Sequence, residues 1–221
     1  MKKTVLVIDL LAESSAFGRM GVTNMVKYIP DHEVLLWSPH TENRVDYGYG
    51  RVVENICDSD LVIITGSKCS ITNHQDWMGH LDQMVRNSTI PIIGICFGHQ
   101  IVCEGYDQRL KKGVKKTVVE PVTLEGVTKY ALFTHEDHVD VDEELNENVD
   151  ILAMSDEGKI IALKDQGRGI ISVQFHPEAD AELVAHAVES GEMTADEAAC
   201  FEFKQPMWNF GDLLLAIGYL S

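Results

Sequence analysis

The chain is 221 residues long, 45% hydrophobic and 24% charged, with a net charge of −17. That length suits one domain with a sizeable core, and the acidic balance argues against nucleic acid as a partner, since a phosphate-binding surface needs a basic patch. No apolar run reaches the roughly 18 residues that cross a bilayer, and the apolar stretch after Lys3 is cut by Asp9, too early for a secretory signal, so no membrane partner is expected.

Thr4–Ile8, Glu33–Trp37, Leu61–Thr65 and Pro91–Ile95 are short apolar runs rich in β-branched residues. Such runs predict strands buried on both faces of a parallel sheet. Helical spacing is loose over 14–29 and clear over 75–86, where Trp77, Met78, Leu81, Met84 and Val85 form one stripe. Strands alternating with helices imply an open α/β sheet. From Thr117 to Phe175 the pattern shifts to short strands at 117–124, 130–134, 150–154, 160–164 and 170–175. Gly-, Asp- and Asn-containing turns separate them, which predicts an extension of the main sheet and a small antiparallel layer. The basic cluster Lys111, Lys112, Lys115 and Lys116 reads as a solvated turn, and 140–148 as an acidic surface connection. Beyond it, Asp180 can cap a helix over 181–189, Thr194 and Glu197 form a capping box for one over 195–203, and 207–219 is a final apolar element.

The five cysteines, Cys57, Cys69, Cys96, Cys103 and Cys200, are odd in number, irregularly spaced and contain no C-x-x-C pair. Neither a disulfide framework nor a structural zinc site is expected, and a reducing, cytoplasmic setting fits.

The chemistry concentrates in Gly94-Ile95-Cys96-Phe97-Gly98-His99-Gln100, where a buried strand runs into an apolar helix start. A G-x-nucleophile-x-G segment at such a junction predicts a nucleophile elbow. Gly94 and Gly98 let the backbones approach, the helix N-terminus favours a thiolate on Cys96, and the Phe97 N–H is placed for an oxyanion. A second segment, Gln174-Phe175-His176-Pro177-Glu178, closes another strand-like run. His176 is the expected base, able to take the thiol proton and return it to a leaving amine. Glu178, two residues on in extended geometry, is expected to hold the imidazole in one tautomer. Either segment alone has an ordinary reading, a buried cysteine in a glycine turn or a surface histidine beside a proline. Together they supply complementary parts of one triad.

Taken as a pair, these motifs resemble the class I, triad-type glutamine amidotransferase family, and the likeness runs from the first strand to the helix after His176. The resemblance implies a single flavodoxin-like domain over 1–221, with a C-terminal helical extension from about 194. It implies hydrolysis of glutamine to glutamate and ammonia through a γ-glutamyl thioester on Cys96, with no cofactor and no metal. Family positions carry over one at a time: Gly66 to the second oxyanion N–H, Gln100 to a substrate contact, and Thr134 and His135 to further contacts. Asp137, in Thr134-His135-Glu136-Asp137-His138-Val139, takes a supporting role. The last segment and the Gly66–Ser70 loop look most like the GMP-synthetase-type branch, which implies a separate ammonia-accepting synthetase or ligase as partner. A free-standing γ-glutamyl peptidase is the alternative, and a non-catalytic module on the same fold is disfavoured because all three triad members are present. Two departures stand out: Lys68-Cys69 replaces a proline-containing version of the oxyanion loop, and Asp107-Gln108-Arg109 stands where the family has glycines.

Overall fold

A computed structural model describes residues 2–42 and 47–220. An eight-stranded sheet is assembled from β1 (Thr4–Ile8), β2 (Glu33–Trp37), β3 (Arg51–Val52), β4 (Leu61–Ile64), β5 (Ile92–Ile95), β8 (Val149–Met154), β9 (Ile160–Asp165) and β10 (Ile170–Val173). Their order is β3-β2-β1-β4-β5-β10-β9-β8. All neighbours from β3 to β10 pair in parallel, whereas β9 and β8 add on antiparallel. A separate antiparallel ribbon is formed by β6 (Arg109–Leu124) and β7 (Val127–Asp140). The α/β architecture with a small antiparallel addition is thus as the sequence predicts.

The strand alternation sorts the core into two layers, because successive side chains point to opposite faces. Val5, Val7, Ile63, Ile95 and Val173 face a layer that contains Met25, Phe133 and Phe210. Leu6, Ile8, Val62 and Ile64 face the other, with Met78, Leu81 and Val85 of α2 (Asp76–Asn87) and Ile101 and Val102 of α3 (Phe97–Gly105). The stripe read from 75–86 is the buried side of α2, with Met78, Leu81 and Val85 fully covered.

Several elements differ from the expectation. The helix over 14–29 is a π-helical segment, Ser15–Met20, followed by α1 (Gly21–Val26). The lysine cluster is not a turn. It lies within β6, where the pairing with β7 shifts register between Lys112 and Lys116. A solvent-facing ribbon places lysines outward and reads as polar, so pairing rather than apolar pattern makes it a strand. By the same pairing β7 runs on through 134–140. Asp180 caps α4 (Ala181–Glu189) through Leu183 N–H at 2.8 Å, and the Thr194/Glu197 capping box is present. Its helix α5 is only Ala195–Ala199, and the last apolar element contains α6 (Phe210–Ala216). Asp107, in the glycine position, holds φ at +59°, a conformation short Asp side chains tolerate, and its carboxylate pairs with Arg86 at 2.9 Å. No helix among the described residues is long and apolar enough to cross a membrane.

Candidate active site

Cys96 sits between β5 and α3 with φ +53° and ψ −99°, a conformation L-residues rarely adopt. The neighbouring packing makes the turn this tight. A Cβ on Gly94 would lie 2.5 Å from Gly98 O, and one on Gly98 would lie 2.3 Å from Ile64 O. Neither contact is tolerable, so only glycine fits at both places. Gly98 N–H donates to Thr65 O at 3.2 Å and Cys96 N–H to Val173 O at 2.9 Å, which pins the elbow between β4 and β10.

His176 follows β10 and is held from below by its own N–H, which donates to Leu132 O of β7 at 2.9 Å. Glu178 reaches it by a turn, not by extended geometry: Ala179 N–H closes back on His176 O at 3.2 Å. Pro177 fixes φ in that turn and so folds the carboxylate back to the ring. Nδ1 of His176 is 2.7 Å from Glu178 Oε1. A carboxylate oxygen accepts, so Nδ1 carries the proton and Nε2 is the basic nitrogen. Both residues are 4% exposed. Burial alone would lower the imidazole pKa, but the Glu178 carboxylate and the Cys96 thiol beside it raise it well above the ordinary value. Nε2 is buried, and among the described residues its one neighbour able to share a proton is the Cys96 thiol. The edge of Phe17 closes over the ring, with centroids 5.2 Å apart.

Gly66 lies against both groups: a Cβ there would be 3.2 Å from His176 Cε1 and 3.6 Å from Cys96 Cβ. The N–H groups of Gly66 and Phe97 find no acceptor among the described residues. Two free donors beside a thiol suit an oxygen that gains negative charge.

Cys96, Phe97, Gln100, Thr134, His135, Asp137 and His176 line one cavity of about 370 Å³. That is at the small end of ligand pockets, which run from roughly 300 to 1,000 Å³. Cys96 Sγ lies 4.0 Å from Thr134 O. His135 Nδ1 is 2.9 Å from Asp137 O and therefore donates to it. Burial, with Lys116 nearby, lowers the His135 pKa to about 4, so the ring is neutral and its Nε2 is an acceptor. The Gln100 amide spends its donors on Asp137 O at 2.9 Å and Gln174 Oε1 at 3.3 Å, leaving its oxygen for the cavity. Asp137 ties the loop after Gly66 to β7, accepting from Ser70 Oγ at 2.6 Å and Ile71 N–H at 2.9 Å. Its second oxygen is buried and unpartnered among the described residues.

Other expected residues stand behind this wall. Glu178, Gly94 and Gly98 do not line the cavity but shape what does. His99 points away from it and locks α3 to the sheet, with Nδ1 2.9 Å from Ser172 Oγ and Nε2 3.1 Å from Ile160 O. Cys103 is fully buried beside it, whereas Cys69 is on the cavity wall. Sequence reasoning missed Phe17, Ser14, Lys115, Glu192, Met193 and Glu197, which also line the cavity. No local pattern marks them; they are assembled by contacts between distant segments. Among the described residues no group of His, Cys, Asp or Glu is arranged to hold a metal ion.

Comparisons with known proteins bear on the family and the fold. Residues 34–190 match the family described as glutamine amidotransferase class-I. A relative from Sulfolobus acidocaldarius, one subunit of a glutamine-hydrolysing GMP synthase, is 29% identical over 133 residues, which is 57% of this chain and 71% of that protein. The corresponding subunit from Pyrococcus abyssi is 34% identical over 52% of this chain and 63% of its own length. In structure, a glutamine amidotransferase from Thermotoga maritima superposes with a TM-score of 0.66 over 98% of this chain and 96% of that one, at 13% identity. A putative GMP synthase subunit from Thermoplasma acidophilum gives 0.60 over 87% and 99%, at 15% identity. At such identity the likeness is one of fold, and the fold is the flavodoxin-like one. The family match spans most of the sheet and both reactive segments, and the chain belongs to the class-I glutamine amidotransferase family of enzymes.

Proposed function

We propose that the protein hydrolyses the side-chain amide of glutamine to glutamate and ammonia, with Cys96 as nucleophile, His176 as base and Glu178 as the group that orients His176. One observation carries this reading: Nδ1 of His176 is committed to Glu178, which leaves Nε2 for the Cys96 thiol beside it. Nε2, in a ring whose pKa is raised, holds the proton given up by the thiol as sulfur attacks the amide carbon. The carbonyl oxygen becomes an oxyanion and receives the N–H groups of Gly66 and Phe97. The C–N bond then breaks, the nitrogen takes the proton from His176, and ammonia leaves a γ-glutamyl thioester. Water, deprotonated by His176 Nε2, attacks the thioester carbon; glutamate leaves and sulfur takes the proton back from Nε2. Gln100 and Thr134 offer carbonyl oxygens, and His135 a neutral Nε2, to the α-ammonium end of the substrate.

The relatives are subunits of glutamine-hydrolysing GMP synthases, which supports transfer of the ammonia to a separate synthetase subunit. Covalent labelling by an electrophilic glutamine analogue tests the nucleophile: wild type labels at one site, Cys96→Ala does not, and equal labelling of both sinks the assignment. Adding a candidate synthetase should raise glutaminase turnover. Full activity alone, unchanged by any synthetase, counts against the transfer.

A second reading, cleavage of γ-glutamyl amides, is favoured by Lys68. This exposed lysine lines the cavity and has no ion pair among the described residues, so it can meet a carboxylate beyond the scissile bond. Comparing glutamine with γ-glutamyl dipeptides separates the two.

A further inference from the structure

Part of the cavity wall, Glu192, Met193 and Glu197, comes from a stretch of the chain that begins where the family match ends, at residue 190. After α4 the backbone turns at Ser190-Gly191 and passes Glu192 and Met193 before α5, and Phe201 returns it to the core. Met193, Ala198 and Phe201 pack this passage against one core cluster, and two polar attachments, unequal in strength, hold it over the cavity.

At one end the Glu192 carboxylate is gripped by the loop after β1. Oε1 accepts Ser15 N–H at 2.6 Å, Ser15 Oγ at 2.8 Å and Ala16 N–H at 3.2 Å, and Oε2 accepts the Ser14 hydroxyl. Burial pushes this carboxyl up, yet those hydrogen bonds outweigh it and hold it below the ordinary value. Several charge-assisted bonds to one partly buried group make a firm anchor.

At the other end Lys115 pairs with Glu197, both on the cavity wall. Lys115 can reach because the β6–β7 register slips between Lys112 and Lys116, which frees it from the ladder and leaves neighbouring Val114 93% exposed. The two paired side chains are 51% and 32% exposed. An ion pair of that kind contributes little and is screened by salt. Helix α5, which carries Glu197, buries no residue fully.

We infer that residues 190–201 form a strap across the cavity mouth, anchored at Glu192 and clasped at Lys115–Glu197, that selects substrates by the size of the group beyond the scissile amide. With the clasp closed, ammonia and other small leaving groups fit. Bulky amides enter only when α5 swings out on its Glu192 anchor. This rests on the proposed chemistry at Cys96 for its substrate, but the strap itself does not.

The test compares the full chain with Lys115→Glu, which sets like charges across the mouth, and Glu197→Gln, which removes the charge and keeps the capping box. Two ratios are read. One is kcat/KM for γ-glutamyl-p-nitroanilide over that for glutamine. The other is the alkylation rate of the Cys96 peptide by fluorescein maleimide over that by iodoacetamide, mapped by mass. Both should rise about two- to fivefold in the variants, the population change expected from losing a surface ion pair. In wild type they should rise with salt, and in Glu197→Gln they should be flat. Ratios unchanged in both variants overturn the strap. If wild type cleaves neither substrate, the Cys96 chemistry fails instead, and the alkylation ratio alone decides the strap.

Discussion

At the scale of single residues, the proposed chemistry depends on one charge buried behind Cys96 and His176. The Glu178 carboxylate opposes the cost of burying an imidazolium at His176, whose pKa is raised despite full burial. Glu178→Gln keeps a hydrogen-bond acceptor for Nδ1 and removes the charge. The His176 pKa should then fall, because burial is no longer opposed by the carboxylate. An NMR titration of His176 reads this directly, and glutaminase kcat should drop by roughly 10²- to 10⁴-fold, the range for a disabled general base. An unshifted titration would show that Glu178 does not set the ring's charge. Gly98 is constrained by space instead. An alanine methyl 2.3 Å from Ile64 O must push α3 away from β4, carrying Cys96 with it. Gly98→Ala should lose about 1–3 kcal/mol of stability, as overpacked sites do, together with most activity. Thermal unfolding and a glutaminase assay check both losses; a stable, active variant would mean that the elbow yields more easily than its packing implies.

Elements show how far local sequence reaches. Strands β1, β2, β4 and β5 were legible because parallel strands covered on both faces must be continuous apolar runs. The caps of α4 and α5 were legible because a cap is a local bond between residues three apart. The π-helical segment and the two-residue β3 were not, since neighbours and not propensity create them. The reactive segments could be read for the same reason as the caps: Gly94, Cys96 and Gly98 act within one turn, and His176 and Glu178 within another. The cavity wall could not. Ser14 meets Glu192 across 178 positions, and Lys115 meets Glu197 across 82. The cap of α4 also gives a clean measure of one such local bond. Asp180→Ala removes the acceptor of Leu183 N–H and should cost about 1 kcal/mol. A lower urea midpoint with unchanged slope is the expected result; an unchanged midpoint would mean that water replaces the cap without loss.

For the whole molecule, buried histidines make stability depend on pH from two sides. His99 is fully buried between α3 and the sheet, and burial lowers its pKa to about 4. His135 is lowered to about 4 as well. In the unfolded chain both titrate near 6.5. Between about pH 6.5 and 4 the unfolded state therefore binds protons that the folded state refuses, and folding weakens as pH falls. Each unit of pH in that window costs about 1.4 kcal/mol per group, so His99 alone costs on the order of 3 kcal/mol by pH 4. His176 acts with the opposite sign. Its folded pKa is raised, so its contribution is complete below about 6.5 and is lost as pH rises through the raised value. Stability should peak near neutrality, fall on the acid side through His99 and His135, and fall on the alkaline side through His176. Chemical denaturation across this range separates the arms by substitution. His99→Gln can keep a hydrogen bond without titrating, so it should reduce the acid slope to the share that His135 supplies, whereas Glu178→Gln should flatten the alkaline arm. Retention of the full acid slope by His99→Gln would transfer that arm to other groups in the fold.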